Sequence, residues 1–288
     1  MPVIRDILSA PGPSPFGSFS VADEAEGLTP AQSLLSIWQA EGWDVPMLGL
    51  FNDDQLTVNG SNEITLAGNQ GDQGLAGMSQ WLGPPFPLPL PTYDATGING
   101  MPAIKFDDSG GRKILATPDF DATGYNAACL FVIARDTDTA PAQVVGFGEE
   151  HVDYDAGSLR LFVNTLVEWV STIFEDSSGA TAIANATSQS LSAAAVVTST
   201  IDITAPIPEA TIRMNGVELA DSVTDVTTGN LGDLPIIAGG RPSSSASSWG
   251  TGWISAIVLV MRPDTLASPI PAGAVSATEV ILANFRGL

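Results

Sequence analysis

The sequence predicts an all-β chain, a two-sheet antiparallel sandwich with an extended N-terminal arm, a short N-terminal helix and a C-terminal helix. Three observations carry that prediction. Short apolar runs recur at regular spacing between turn residues. The 288 residues are punctuated throughout by 29 glycines and 21 prolines. Helical periodicity is confined to two short segments near the ends. An apolar fraction of 44% is enough to fill a substantial core in one large domain.

Taken in order, the run Ser9-Ala10-Pro11-Gly12-Pro13-Ser14-Pro15 holds neither a helix nor a central strand, because proline lacks the N–H and fixes φ. It reads as an extended arm. Thr29-Pro30 supplies an N-cap and a first helical residue, and Leu34, Leu35 and Trp38 follow at helical spacing along Ala31 to Glu41. That amphipathic helix either packs on its own domain or docks on a neighbouring subunit. Residues 1–46 are therefore set apart as an arm and helix, and residues 47–288 as the sandwich.

From Met47 the pattern becomes β. Leu48, Leu50 and Leu56-Thr57-Val58 precede the turn dipeptide Asn59-Gly60. Gly68, Gly71, Gly74 and Gly77 read as a flexible surface loop, too short and too poor in proline for a collagen helix. Pro84 to Pro91 reads as a stiff, polyproline-like crossing loop. Strands are expected over Ala103–Phe106, Ala127–Arg135, Gln143–Gly148, Ser158–Val163, Leu166–Phe174 and Leu191–Ser199. Ala210–Met214 and Val217–Leu219 flank Asn215-Gly216, whose two positive φ angles suit a tight hairpin. Leu234–Ala238 follows, and Gly252–Arg262 is apolar enough to be a central strand. Ser276-x-x-Glu279 has capping-box spacing, and Gly287 closes the last helix.

Composition narrows function. Thirty-two acidic residues against ten basic ones give a net charge of −22. No basic stripe exists to neutralise phosphates, which argues against nucleic acid, and anionic membrane surfaces are disfavoured too. The acidity serves solubility or, alternatively, divalent cations. Cys129 is the single cysteine, so an internal disulfide is excluded; inside an apolar run it reads as a small buried hydrophobe. The N-terminus shows no apolar signal region and no apolar run reaches eighteen residues. Synthesis in a host cytoplasm and release within a lytic particle fit that pattern.

Several motifs, in order, carry a resemblance. They are Met78-x-x-Trp81, Pro91-Thr92-Tyr93, and Asn99-Gly100-Met101-Pro102-Ala103-Ile104-Lys105-Phe106-Asp107. Further along come Arg213-Met214-Asn215-Gly216, Ile237-Ala238-Gly239-Gly240 and Gly252-Trp253-Ile254-Ser255-Ala256-Ile257. Over residues 47–288 the chain resembles concanavalin A-like, laminin-G-type jelly rolls of the kind found in bacteriophage structural proteins. Ala256 stands where that family usually has Glu, the loop before Trp81 is longer than usual, and residues 1–46 have no counterpart. The resemblance implies a jelly-roll, lectin-like domain displayed on a virion surface, as capsid decoration, head spike or tail component. A host-surface glycan as ligand and symmetric homo-oligomers follow by analogy; the unmatched arm, residues 1–46, is read as the tie to other virion proteins, and the absence of a paired-carboxylate motif favours a non-enzymatic role. A glycan hydrolase on the same fold and a bacterial surface carbohydrate-binding module are the alternatives.

The residues themselves offer few constellations. Hydrolases of this architecture carry carboxylates at i, i+2 and i+4 on one strand face. The nearest approach is Glu149-x-His151-x-Asp153-x-Asp155. It reads first as a polar hairpin connection; if extended, Glu149, Asp153 and Asp155 share a face and become candidate Ca²⁺ ligands or acid/base groups. His151 is the single histidine, so any triad or zinc site would be built around it alone. No nucleophile elbow, P-loop or dinucleotide fingerprint occurs. For sugar stacking, Trp249 beside the polar loop 243–248 and then Tyr154 are the aromatic candidates. Trp81, Trp169 and Trp253 sit in strand contexts and read as core.

Overall fold

Two runs dominate the chain, AACLFVIA and AIVLVM, and both are apolar at every position rather than at alternate ones. Such strands need both faces covered, and the architecture follows from that need. The computed structural model describes residues 28–80, 82, 88–107, 113–136, 142–147, 158–163, 169–175, 181–185, 193–204, 209–223, 230–240 and 252–288. Its elements begin with α1 (Pro30–Ala40), β1 (Asp44–Leu50), β2 (Leu56–Val58), β3 (Ile64–Ala67), β4 (Met78–Gln80), β5 (Thr92–Ile98) and β6 (Met101–Phe106). There follow β7 (Leu115–Ala116), β8 (Phe120–Asp121), β9 (Tyr125–Asp136), β10 (Ala142–Phe147), β11 (Leu159–Val163), β12 (Trp169–Glu175) and β13 (Thr181–Asn185). The chain ends with β14 (Ala195–Asp202), β15 (Glu209–Met214), β16 (Val217–Val223), β17 (Asp233–Leu234), β18 (Ile236–Ala238), β19 (Gly252–Pro263) and α2 (Ala272–Arg286).

The fold is a two-sheet antiparallel sandwich with a helix near each end of the described chain. The first sheet runs β16-β15-β14-β9-β19-β6-β5, and β1 also pairs with β19. The second runs β13-β12-β11-β10-β18-β7-β4-β3-β2. Along β9, Leu130, Val132 and Ala134 face the second sheet, while Cys129, Phe131 and Ile133 face the helices. Along β19, Ile257, Leu259 and Met261 alternate with Ala256, Val258 and Val260 in the same way. Cys129 is thus a buried hydrophobe, and burial pushes its thiol well above the ordinary range.

The helix of Pro30–Ala40 is built into the outer layer of this chain. Thr29 caps it in a full capping box with Gln32. Ala31, Leu34 and Trp38 are buried in it, and the Trp38 indole donates 2.9 Å to Thr278 Oγ1 of α2. Trp38 also packs on Trp43 and Phe131, at 5.3 and 6.0 Å between ring centroids. The preceding residues 1–27, including the proline-rich arm, lie outside the described residues.

Three local expectations are corrected. First, Ser276-x-x-Glu279 does not start the last helix; it starts at Ala272 after Pro271, with no side-chain cap. Glu279 turns inward instead, accepting from Thr198 Oγ1 at 2.8 Å and from Arg213 Nε at 2.9 Å. Gly287 does close the helix, in the left-handed conformation at φ 62°. Second, the segment 68–77 is no loose loop. Gln70 and Asp72 donate their backbone N–H to Leu48 and Val45 carbonyls, while Asn69 and Asp72 side chains accept from Leu48 and Val45 N–H. A Cβ on Gly71 would stand 2.3 Å from the Val45 carbonyl oxygen, so only glycine permits this approach. Third, Asn59-Gly60 is not a two-residue hairpin turn. The loop extends to Glu63, with Asn62 at φ 64° and the Asn59 side chain accepting from Ser61 and Glu63 N–H. The other two Asn-Gly pairs do turn tightly, with Asn99 and Asn215 both at φ 50°.

Candidate functional site

Glu149, Asp153, Asp155, Tyr154 and Trp249, with His151, lie outside the described residues, as do Trp81 and most of the crossing loop. Among the described residues no group of three or more His, Cys, Asp or Glu side chains is placed to hold a metal ion. No described helix is long and apolar enough to cross a membrane.

The residues that do assemble sit at the β5 edge of the first sheet. Antiparallel pairing sets Thr92 opposite Lys105, Lys105 opposite Trp253, and Trp253 opposite Arg135. Directly paired residues project from one face, so the four side chains form a row across β5, β6, β19 and β9. That face is the one the helices cover further along, over Ala256, Val258 and Val260. Trp253, read as core from its strand context, is instead half-buried at the margin of this layer.

Local backbone irregularity shapes the row. The β5–β6 register slips between Asp94 and Ile98, leaving residues 95–97 bulged. The Asp94 carboxylate holds that bulge, accepting from the Thr96 N–H at 3.0 Å and hydroxyl at 3.3 Å through Oδ1. Its Oδ2 accepts from the Trp253 indole at 2.7 Å. A Cβ on Gly97 would lie 2.5 Å from Trp253 Cδ1, so the bulge glycine is what lets the ring lie against β5. The Arg135 guanidinium stacks 4.0 Å from the ring centroid, and Lys105 Nζ stands 5.8 Å from it.

Beside the row lies a groove of about 560 Å³ lined by Asn62, Thr92, Tyr93, Asp94, Ala95, Lys105, Asp107 and Lys113. Asn62 forms its wall by donating through Nδ2 to the Tyr93 carbonyl, while Tyr93 N–H donates back to the Asn62 carbonyl. The Tyr93 hydroxyl donates to Asp53. Asp107 receives Lys113 Nζ at 2.7 Å and stands 3.7 Å from Lys105 Nζ. Lys113 is 8% exposed and Lys105 40%, so the first is structural and the second is presented to solvent.

Electrostatics match this geometry. Burial acts to raise Asp94, but hydrogen bonds from Thr96 and Trp253 and the Lys105 charge outweigh it and hold the carboxyl below its ordinary range. Tyr93 is pushed up to about 12, mainly because its hydroxyl donates to Asp53. The site is therefore a fixed array of two carboxylates, Asp94 and Asp107, one phenol, and ammonium and guanidinium donors beside an indole. Sequence reasoning missed it because its members come from four strands spread along the chain, β5, β6, β9 and β19. One signal was available: Lys105 and Lys113 are the chain's only lysines, and both reach Asp107.

No family model matches the chain, and no curated protein sequence does. Solved structures do. Domain 4 of AbnA, an extracellular GH43 arabinanase of Geobacillus stearothermophilus whose structure was solved in complex with arabinotriose, aligns over 82% of this chain and 98% of its own, with TM-score 0.52 and 11% identity. The likeness is one of fold. The binding domain of Paraclostridial Mosquitocidal Protein 1 aligns over 85% of this chain and 55% of its own, with TM-score 0.50 and 10% identity. The binding domain of botulinum neurotoxin serotype D gives 85%, 52%, 0.50 and 9%. This chain thus spans about half the length of those two binding domains.

Proposed function

We propose that this chain is a non-catalytic carbohydrate-binding sandwich, displayed on a phage particle and held there through its N-terminal segment. The observation that carries the binding reading is the groove beside Trp253, where donors and acceptors are fixed at the edge of an aromatic row. Sugar hydroxyls both donate and accept, so they suit a wall that alternates Asn62, Asp94, Lys105 and Asp107. The fold shared with an arabinanase domain seen with arabinotriose supports the same reading. Its sequence motifs, similar to those of virion jelly rolls, support display on a particle.

Non-catalytic is the better reading because glycoside hydrolysis needs one carboxyl kept protonated beside one ionised. Asp94 is held in its ionised form, and Asp107 is paired with two ammonium groups. The anchor is assigned to residues 1–27 within the segment 1–46, since α1 and β1 are part of the sandwich itself.

One experiment set tests this. The intact chain is expected to bind on a glycan array and to release no reducing ends from the bound glycan, and Lys105→Ala should weaken binding by about tenfold, near 1.4 kcal/mol. Deleting residues 1–27 should abolish incorporation into particles while the sandwich still melts cooperatively. Turnover of the glycan would replace this reading with the hydrolase; normal incorporation would remove the anchor.

A further inference from the structure

Resting on the carbohydrate-binding reading, we propose that the row Lys105–Trp253–Arg135 binds the carboxylate of an acidic saccharide. Cations are scarce in this chain, ten against 32 acidic groups, so where they are spent is informative. Arg213 is held by Glu279, Arg262 by Asp202 and Asn126, and Arg286 by the carbonyls of Phe51 and Ser255. Lys113 is closed by Asp107.

Arg135 differs from all of these. Among the described residues its guanidinium has no hydrogen-bond or carboxylate partner, and its Nε is buried without one. Among the described residues it is held by stacking on the Trp253 indole. Stacking holds a guanidinium by its face and leaves its N–H groups, which lie in the plane, free for another group. Leaving such donors unmade is costly in a half-buried setting. A carboxylate matches the planar fork with two parallel hydrogen bonds. Lys105, on the strand that flanks Trp253 on the other side, is 40% exposed, stands 3.7 Å from Asp107 and supplies a second positive charge.

Position makes the ligand a saccharide. Lys105 lines the groove as well as the row, so one molecule can place hydroxyls against Asn62 and Asp94 and its acid group toward Arg135. Three strand spacings separate Thr92 from Arg135, a span of ~14 Å that admits more than one sugar ring. The net charge of −22 repels extended polyanions, but a single carboxylate inside the Debye length of ~8 Å is governed by the cations it touches.

The test pairs each acid with a form lacking it: sialyl-lactose against lactose, and trigalacturonate against the same trisaccharide with its carboxyls reduced. Binding to the intact chain is followed by calorimetry. The acidic member of at least one pair should bind at least about tenfold tighter. Arg135→Gln should erase that advantage, weakening the acidic member far more than the neutral one, with the fold still melting cooperatively. Arg135→Lys, which keeps the charge and loses the fork, should recover only part of it. Equal affinity for both members overturns the acidic-group assignment and leaves the carbohydrate-binding reading standing; binding of neither member of any pair, nor of any array glycan, overturns both. A sulfated lactose that binds while both carboxylated ligands fail would replace carboxylate with sulfate and overturn the proposal as stated.

Discussion

Tyr93 shows how a single side chain links edge, groove and pH. Its phenol donates to Asp53 and ionises only near about 12. Tyr125 is raised as well, mainly by burial and then by its 2.7 Å hydrogen bond to Asp44 Oδ2. A folded pKa above the unfolded value of ~10 means that the neutral form is favoured by folding. The stabilisation is full below pH ~10 and is lost as the pH rises through the folded values. Alkaline melts should therefore lose stability from pH ~10 upward. Tyr93→Phe should flatten part of that loss, and ultraviolet phenolate titration should show two of the chain's three tyrosines ionising late. A loss unchanged in Tyr93→Phe would sink the assignment. The residue scale is also where the sequence was least legible. Trp253 stands in an apolar strand and reads as core, yet pairing with Lys105 and Arg135 turns it into a surface platform. Nothing local to residue 253 records which strands will flank it.

At the scale of elements, apolar runs and turn dipeptides placed β9, β19 and the β15–β16 hairpin, because these depend on burial on both faces or on positive φ, both local properties. Strand β5 was not foreseen: its sequence TYDATGI lacks alternation, since a bulge interrupts it and Asp94 supports that bulge. The early part of α2 was missed for another reason. It opens Ala272-Gly273-Ala274-Val275 after Pro271 with no capping side chain, so no start signal marks it, and the later buried face carries Thr278, Glu279 and Arg286 beside Leu282. These polar groups have partners: Thr278 accepts from the Trp38 indole of α1, and Arg286 donates to the carbonyls of Phe51 and Ser255. Glu279 is 4% exposed and joins Thr198 and Arg213 across three elements. Removing it leaves a half-buried guanidinium and a hydroxyl without their acceptor, so Glu279→Ala should cost about 3 kcal/mol in denaturant unfolding. Glu279→Gln should cost less, because it keeps the acceptor. Equal losses for both would show that charge, not the hydrogen bond, is what matters.

For the whole molecule, charge is the property that composition made plain and that the fold distributes. Thirty-two acidic groups face ten basic ones, and the described ion pairs are few and mostly buried, as at Arg262–Asp202 and Arg213–Glu279. Surface repulsion is screened by salt more readily than buried attraction is. Raising ionic strength from ~0.01 M to ~0.15 M shortens the Debye length from ~30 Å to ~8 Å, and the melting temperature should rise with it. A fall would mean that exposed ion pairs outweigh the repulsion.

The path by which the chain enters the sandwich has a mechanical consequence. Residue 28 leads into α1, whose Trp38 is wedged against α2, and then into β1, which lies in register along β19 from Met261 to Ala256. Tension on a tethered N-terminus would therefore be delivered to β19, an interior strand of the first sheet. β1 pairs with β19 alone among the described strands, so that one ladder carries the load. The Trp253 end of the same strand, where the proposed site lies, is beyond the last residue with which β1 pairs. A particle could pull hard on this domain and leave the grip of its groove unchanged.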